Sequence, residues 1–140
     1  MEAKASGRHW ILRLDKGEEI VETLEKFCRE KGIRLGTVSG IGATDRATIG
    51  LFKTRTKEYV RKEVVGDHEI TNLAGNISRM NDEVYLHLHV NLSDANYHTF
   101  GGHLNAAVVS ATCEVVVRAL EGDVGREFSE EIGLNLYKFS

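Results

Sequence analysis

The chain has 140 residues, which include no proline and only two cysteines. Without proline, no polyproline II segment, proline-rich linker or proline-containing DNA-binding arm can form. Cys28 and Cys113 each stand alone in an apolar context, which favours buried free thiols over a disulfide or a redox pair. No apolar run is long enough to cross a bilayer, and the first ten residues lack an apolar signal core. We therefore expect a cytoplasmic protein with no membrane partner.

A strong charge of either sign is also missing. The chain has 18 Lys and Arg against 21 Asp and Glu, which gives a formal net charge of −3. Phosphate binding draws on clustered Lys and Arg, so the composition does not favour a nucleic-acid partner for the domain as a whole. At 41% hydrophobic and 28% charged residues, this length predicts one globular domain over residues 1–140.

The pattern of apolar residues predicts many strands and one helix. Strands are predicted over residues 8–15, 33–44, 46–53, 58–65, 69–80, 83–92, 105–120 and 132–139. A helix is predicted from about residue 16 to residue 31, with Asp15 and Glu18 as a capping box and Gly32 as a left-handed C-cap. Gly40 and Gly42 indicate a bulge in a strand, and residues 121–131 are predicted to be irregular or a short helical turn. This order predicts an α+β fold, a mainly antiparallel β-sheet with one long N-terminal helix packed on it.

Residues 85–104 (YLHLHVNLSDANYHTFGGHL) contain four of the six histidines. On a strand, His87 and His89 share one face, while the opposite face is aliphatic. His103 follows the pair Gly101-Gly102, where missing side chains permit a close backbone approach. Three convergent imidazoles form a recurrent zinc ligand set with an open fourth position. The spacing alone leaves two interpretations open, a metal site and a solvated face of a sheet.

The remaining histidines lack such a pattern, and a metal-based reaction would need further groups. His98 lies near a turn, and it is interpreted either as a surface residue or as a group that supports the ligands. His9 and His68 are interpreted as structural. Glu114 and Arg118 share the polar face of the strand over residues 105–120, and they are the candidate catalytic residues, as proton shuttle and charge stabiliser. The alternative is a structural ion pair or a subunit contact.

One local basic cluster occurs, on the predicted hairpin over residues 46–65. It contains the weak nucleic-acid-binding candidates Lys53, Arg55, Lys57, Arg61 and Lys62. A solvated hairpin whose charges protect a sheet edge is the favoured interpretation, and a phosphate-binding patch is the alternative.

These motifs together resemble those of a known family. The segments His87-Leu88-His89-Val90 and Gly101-Gly102-His103-Leu104, with residues 39–43 (SGIGA), 112–116 (TCEVV) and 133–134 (GL), are similar to the PPC domain (plants and prokaryotes conserved). The resemblance covers nearly the whole chain and implies an α+β fold assembled as a homotrimer. It also implies zinc as the cofactor, bound by His87, His89 and His103, and a fold similar to that of acetolactate decarboxylase.

The resemblance implies two kinds of function. Plant members are DNA-binding nuclear proteins whose DNA contact comes from a separate Arg-Gly-Arg-Pro segment, which this chain lacks. A regulatory metal-binding module is therefore implied, with itself and DNA or a DNA-associated protein as partners. The alternative, from the similarity to acetolactate decarboxylase, is a zinc-dependent lyase or hydrolase acting on a small carbonyl or ester substrate.

Overall fold

The computed structural model describes residues 1–139. Within them lie eight strands and one helix: β1 (Glu2–Ser6), β2 (His9–Asp15), α1 (Ile20–Glu30), β3 (Gly36–Lys53), β4 (Glu58–Met80), β5 (Glu83–Ser93), β6 (Thr99–Ala119), β7 (Gly125–Ser129) and β8 (Leu134–Lys138). The expected class is confirmed in its main feature, a mainly antiparallel sheet, and the expectation of a long helix is wrong. The helix has 11 residues.

The helix begins later than its apolar spacing predicts, because tertiary hydrogen bonds hold the preceding residues. The amide of Gly17 donates to the carbonyl of Val109 at 2.8 Å, and the carbonyl of Glu18 accepts from the amide of Val109 at 3.0 Å. Both bonds attach this segment to β6. The predicted capping box is half formed, since the carboxylate of Glu18 accepts from the amide of Asp15 at 2.7 Å. It does not start the helix, because the carboxylate of Glu19 caps α1 by accepting from the amide of Glu22.

The C-terminal end of the helix follows the prediction. Gly32 has a φ of +64°, and its amide donates to the carbonyl of Arg29 while that of Ile33 donates to the carbonyl of Cys28. These two bonds form a Schellman motif. The buried face of α1 packs on β5 and β6. Cys28 and Cys113 are buried free thiols as expected, and burial raises their pKa values to about 12 and about 11.

The sheet closes on itself through β5. Its strand order is β1-β2-β6-β3-β4-β7-β8, and β5 pairs with β4 along one edge and with β6 along the other. Strands β3, β4, β5 and β6 therefore form a closed cycle of hydrogen-bonded neighbours. The register of β3 with β4 shifts between Gly40 and Gly42, which confirms the predicted bulge. All strand pairs are antiparallel except for the bridge between Arg79 and Gly125, which joins β4 to β7 in parallel.

Several predicted element boundaries differ from the structure. The predicted strands over 33–44 and 46–53 form the single strand β3, and those over 58–65 and 69–80 form β4, because bulges bend the strands without ending them. Strand β1 was not predicted, and β7 lies where residues 121–131 were expected to be irregular or helical. Neither strand contains a buried residue. These two strands therefore depend on pairing with neighbouring strands, and a pattern of alternating apolar residues cannot predict them.

The core lies between α1 and one face of the sheet. On β5 this face presents Leu88, Val90 and Leu92, each at most 1% exposed. The opposite face of β5, which carries the histidines, is thus anchored by a well-packed apolar layer. No helix in residues 1–139 has both the length and the apolar character required to cross a membrane.

Candidate metal centre

Two neighbouring strands bring three histidines together on the face of the sheet opposite the core. His87 and His89 lie two residues apart on β5, so the pleat directs both side chains to the same side. His103 on β6 is paired directly with His89 in the antiparallel register. We call His87, His89 and His103 the histidine cluster. The predicted convergence of these three residues is therefore present.

The spacing of the cluster suits a tetrahedral ion. One ligand nitrogen from each ring lies within 4.8 Å of the other two, and the Nε2 atoms of His87 and His89 are 3.2 Å apart. Ligands about 2.0–2.1 Å from a tetrahedral zinc lie about 3.3 Å from one another. The ring centroids are 5.1–5.6 Å apart, so the rings surround a common point without stacking face to face. The donor set therefore fits zinc.

Burial keeps two of these imidazoles neutral. His87 and His103 are half-buried, whereas His89 is exposed. Burial is the main cause that lowers the pKa of His87, and the charges of His89 and Arg126 lower it further. Burial likewise lowers the pKa of His103 to about 4, with smaller contributions from His87, His89 and Arg61. At neutral pH both rings have a free lone pair, which is the form that binds a metal.

The lowered pKa of His103 predicts a loss of stability in mild acid. Between pH 6.5 and about 4, the unfolded chain binds a proton at this residue that the folded chain does not, so the unfolding free energy decreases as the pH falls. For a half-exposed ring we expect this decrease in unfolding free energy to be about 1–2 kcal/mol. Urea unfolding of metal-free protein at pH 7.5 and at pH 5.0 measures the decrease. His103→Gln should show a smaller decrease, and an equal decrease would contradict the prediction.

A tyrosine and a glycine support His103 from the side of β3. The ring of Tyr59 on β4 contacts His103 edge to face, with centroids 6.1 Å apart, and its hydroxyl donates to Oδ1 of Asn105 at 2.8 Å. Tyr59 lies across Gly50, where a Cβ would collide with the phenol oxygen. Gly50 is thus required for this approach. A glycine inside a strand pattern was the available signal for such a close contact.

Arg126 supports the other end of the cluster, and the sequence did not identify it. Its Nε donates to Ser78 Oγ at 2.7 Å, its Nη2 to Asn76 Oδ1 at 2.8 Å and its Nη1 to the carbonyl of Asn135 at 2.8 Å. The guanidinium also lies between the rings of Tyr85 and Tyr137, at 4.7 and 4.3 Å from their centroids.

Asn76, which accepts one of these hydrogen bonds, is the cross-strand partner of His87 and links Arg126 to the histidine cluster. Arg126 was missed because β7 was not predicted.

The candidate catalytic residues lie elsewhere. Glu114 and Arg118 are exposed near the end of β6 remote from His103, where they pair with Arg13 and His9 of β2. The structure therefore does not bring Glu114 or Arg118 to the histidine cluster.

The other histidines also lie outside the cluster. His98 is exposed in the turn between β5 and β6, 3.6 Å from a carboxylate oxygen of Asp94. His68 contacts the ring of Phe100 edge to face, with centroids 5.7 Å apart. His9 is exposed on β2.

Several charged side chains of the basic cluster on the β3–β4 hairpin, which we call the basic hairpin, already have partners within the protein. Lys53 forms a salt bridge with Glu58 at 3.0 Å, and Lys57 donates to the carbonyl of Glu130 at 2.6 Å. Arg55 lies in the exposed turn. The other two side chains lie over aromatic rings, Arg61 over Tyr59 and Lys62 over Phe100.

Comparison with known proteins identifies close structural relatives. A protein from Bacteroides thetaiotaomicron to which DNA binding has been attributed is 39% identical, with a TM-score of 0.96, over 99% of this chain and 96% of that one. A metal-containing protein from Archaeoglobus fulgidus is 40% identical, with a TM-score of 0.89, over 99% and 97% of the two chains. A plant- and prokaryote-conserved (PPC) protein from Pyrococcus horikoshii is 30% identical, with a TM-score of 0.87, over 96% and 93%.

Curated relatives and a family model also match most of the chain. The bifunctional protein GlmU of Synechococcus sp. (strain JA-3-3Ab) is 35% identical over 112 residues, which are 79% of this chain and 17% of that protein. The chain thus spans about a sixth of the length of the curated relatives it matches. The family model of the Plants and Prokaryotes Conserved (PCC) domain matches residues 1–121. The resemblance in the sequence is confirmed, and the chain belongs to the Plants and Prokaryotes Conserved (PCC) domain family.

Proposed function

We propose that this chain is a single metal-binding PCC domain that holds zinc with His87, His89 and His103. The observation that carries the proposal is the convergence of three imidazoles, with one nitrogen from each within 4.8 Å of the others. The similarity to a metal-containing relative of 40% identity supports it. When bound, such a metal supplies Lewis-acid chemistry at one open position.

The residues around the cluster keep the ligands ready for a metal. Burial favours the neutral form of His87 and His103, so few protons compete with the ion at neutral pH. The contact with Tyr59 restricts the ring of His103. The aliphatic face of β5 holds the backbone of His87 and His89 in place.

Elemental analysis tests this proposal directly. The protein is purified without chelators and without a polyhistidine tag, and zinc, manganese, iron, cobalt and nickel are measured per chain. We expect about one zinc per chain, because three imidazoles and one open position suit zinc better than the oxygen-preferring ions. Less than a tenth of an ion per chain, both as purified and after reloading with each metal, would exclude a metal function.

We also propose that the chain assembles as a homotrimer, as the family resemblance implies. Ile41, Leu51 and Val65 are large apolar residues that are 59%, 63% and 72% exposed in the single chain, and assembly would remove such surface from water. Light scattering should give a mass of about three times 15.6 kDa. A mass of one or two chains at micromolar concentration would contradict the trimer.

Association with DNA is a second candidate function, favoured by the DNA-binding role attributed to the Bacteroides relative. The basic hairpin is the candidate surface, through Arg55, Arg61 and Lys62. A mobility-shift series from low to physiological salt tests it, because binding through phosphates weakens steeply as salt rises. Absence of a shift at the lowest salt would exclude this surface.

A zinc-dependent lyase or hydrolase would need a proton-transfer group beside the metal. Glu114 and Arg118 do not lie there. We therefore propose metal binding without an assigned reaction.

A further inference from the structure

Two arginines from different elements flank the histidine cluster. Arg126 of β7 is held beside His87 through Asn76, the cross-strand partner of His87. Arg61 of β4 lies on the side of His103. The two cations thus lie on opposite sides of the three imidazoles.

The placement of Arg61 follows from strand register. Arg61 is paired with Gly50 across β4 and β3, and Gly50 is paired with His103 across β3 and β6. Paired residues in one row project from the same face, so Arg61 and His103 are about 10 Å apart at the backbone with no Gly50 side chain between them. The ring of Tyr59 fills this space, 5.5 Å from the Arg61 guanidinium carbon and 6.1 Å from the His103 ring.

Arg126 is more enclosed, and its charge is not neutralised. It is half-buried, and its three hydrogen-bond acceptors are a hydroxyl, an amide oxygen and a backbone carbonyl, all uncharged. Within residues 1–139, no carboxylate forms a salt bridge with Arg126 or Arg61. The neighbouring acids Glu127 and Glu58 pair with lysines instead. A half-buried cation without a counter-ion favours the arrival of an anion.

The guanidinium of Arg126 retains donors for such an anion. A guanidinium has five N–H groups, and the three bonds of Arg126 use one on each nitrogen, so Nη1 and Nη2 each have a second N–H. The same bonds and the two flanking tyrosine rings hold the group in place before a ligand arrives. Little side-chain entropy is then lost on binding.

The cluster itself adds positive charge when it holds a metal. Its three members are imidazoles, and it includes no carboxylate from residues 1–139. A divalent ion would keep its full charge beside two unpaired guanidinium groups. A cationic ligand would be repelled by this field, and an oxyanion would be attracted to it.

We propose that the open position of the metal centre takes a small oxyanion, a carboxylate or a phosphate, with Arg126 and Arg61 as its binding residues. This inference rests on the proposed metal binding. One ligand oxygen occupies the open position and another accepts hydrogen bonds from Arg126, while Arg61 contributes charge from the side of His103.

The experiment titrates anions into cobalt-loaded protein and follows the visible absorption of the metal. Acetate and inorganic phosphate are the two probes, with sodium chloride at equal ionic strength as the reference. The variants are Arg126→Gln, Arg126→Lys and Arg61→Gln, and the matched control is Arg118→Gln, which removes an exposed arginine remote from the cluster. Metal content and circular dichroism are measured for every variant.

We expect saturable binding in the wild type, about tenfold weaker in Arg126→Gln and severalfold weaker in Arg61→Gln. The affinity of Arg126→Lys should lie between those of the wild type and Arg126→Gln, because lysine keeps the positive charge and loses the two-pronged donor geometry of the guanidinium. The affinity of Arg118→Gln should match that of the wild type within twofold. Whether acetate or phosphate saturates at the lower concentration identifies the class of oxyanion.

Failure of the oxyanion site and failure of the metal centre would give different results. A wild type that binds metal but shows no saturable response to either anion, or equal affinities in Arg126→Lys, Arg61→Gln and Arg118→Gln, overturns the oxyanion site and leaves the metal centre intact. Equal affinities in Arg61→Gln and Arg118→Gln alone would exclude Arg61 from the site. A wild type that binds no metal overturns both proposals. If Arg126→Gln loses its fold because the β7–β8 hairpin detaches, Arg126→Lys and the exposed Arg61→Gln still decide the question.

Discussion

Replacing His103 with alanine is expected to weaken metal binding on the order of a hundredfold or more. The substitution removes one of the three proposed ligands and leaves only His87 and His89, two residues apart on β5. It should barely affect folding, since His103 is half-buried on the face opposite the core and its contact with Tyr59 is an edge contact. The loss should therefore appear in affinity far more than in stability.

A competition titration against a chromophoric zinc chelator measures this effect for His87→Ala, His89→Ala and His103→Ala. His98→Ala is the matched control, because it removes an exposed histidine from the connection just before β6. A second measurement is the rise in unfolding free energy on adding zinc, about 2.7 kcal/mol at a hundred times the dissociation constant. Wild-type affinity in His103→Ala would contradict the assignment of the ligands.

Replacing Gly75 with alanine is expected to cost about 2–3 kcal/mol of stability and to weaken metal binding as well. Gly75 of β4 is paired with Leu88 of β5, between the two histidines of that strand. An added Cβ would collide with the carbonyl oxygen of His87 and lie 2.8 Å from Cδ2 of Leu88. A backbone carbonyl cannot rotate away, so β5 must move, and His87 moves with it.

Gly125→Ala is the control for this effect. Gly125 lies in β7, and an added Cβ there would meet no atom within 4 Å. Neither glycine has a left-handed backbone, so alanine can adopt the backbone conformation at both positions. The difference in stability between the two variants therefore isolates the effect of the collision at Gly75. Urea unfolding of metal-free protein and the chelator titration should both separate the two variants. Equal stabilities would show that β5 adapts freely to the extra atom.

Local patterns predict much of the candidate centre because its three histidines lie on strands with clear alternation. His87 and His89 share a face because the side-chain period of a strand is two, and the aliphatic residues that alternate with them along β5 predict the buried side. The turn after Met80 also follows local preference, since Asn81 and Asp82 both adopt the positive φ that such residues tolerate. Gly32 ends the helix for the same kind of local reason.

Contacts distant in sequence explain the errors. The spacing of apolar residues favours a helix from residue 16, but hydrogen bonds between residues 17–18 and Val109 of β6 outweigh that preference. Strand β7 has little alternation to detect, and its residue Arg126 is placed by Asn76, Ser78 and Asn135. Glu114 and Arg118 share a strand with His103, and only the length of β6 separates them from the cluster.

The amino-acid sequence is thus enough to name the three histidines and to put two of them side by side. Tertiary structure alone brings His103 opposite His89, because the register of β5 with β6 depends on a sheet that closes around a shared core. It also places Arg61 and Arg126, whose neighbours come from other strands. The side-chain period of a strand is a local property, whereas strand register and closure depend on pairing between distant segments. The sequence therefore identifies the three histidines, and it does not identify the charged residues around them.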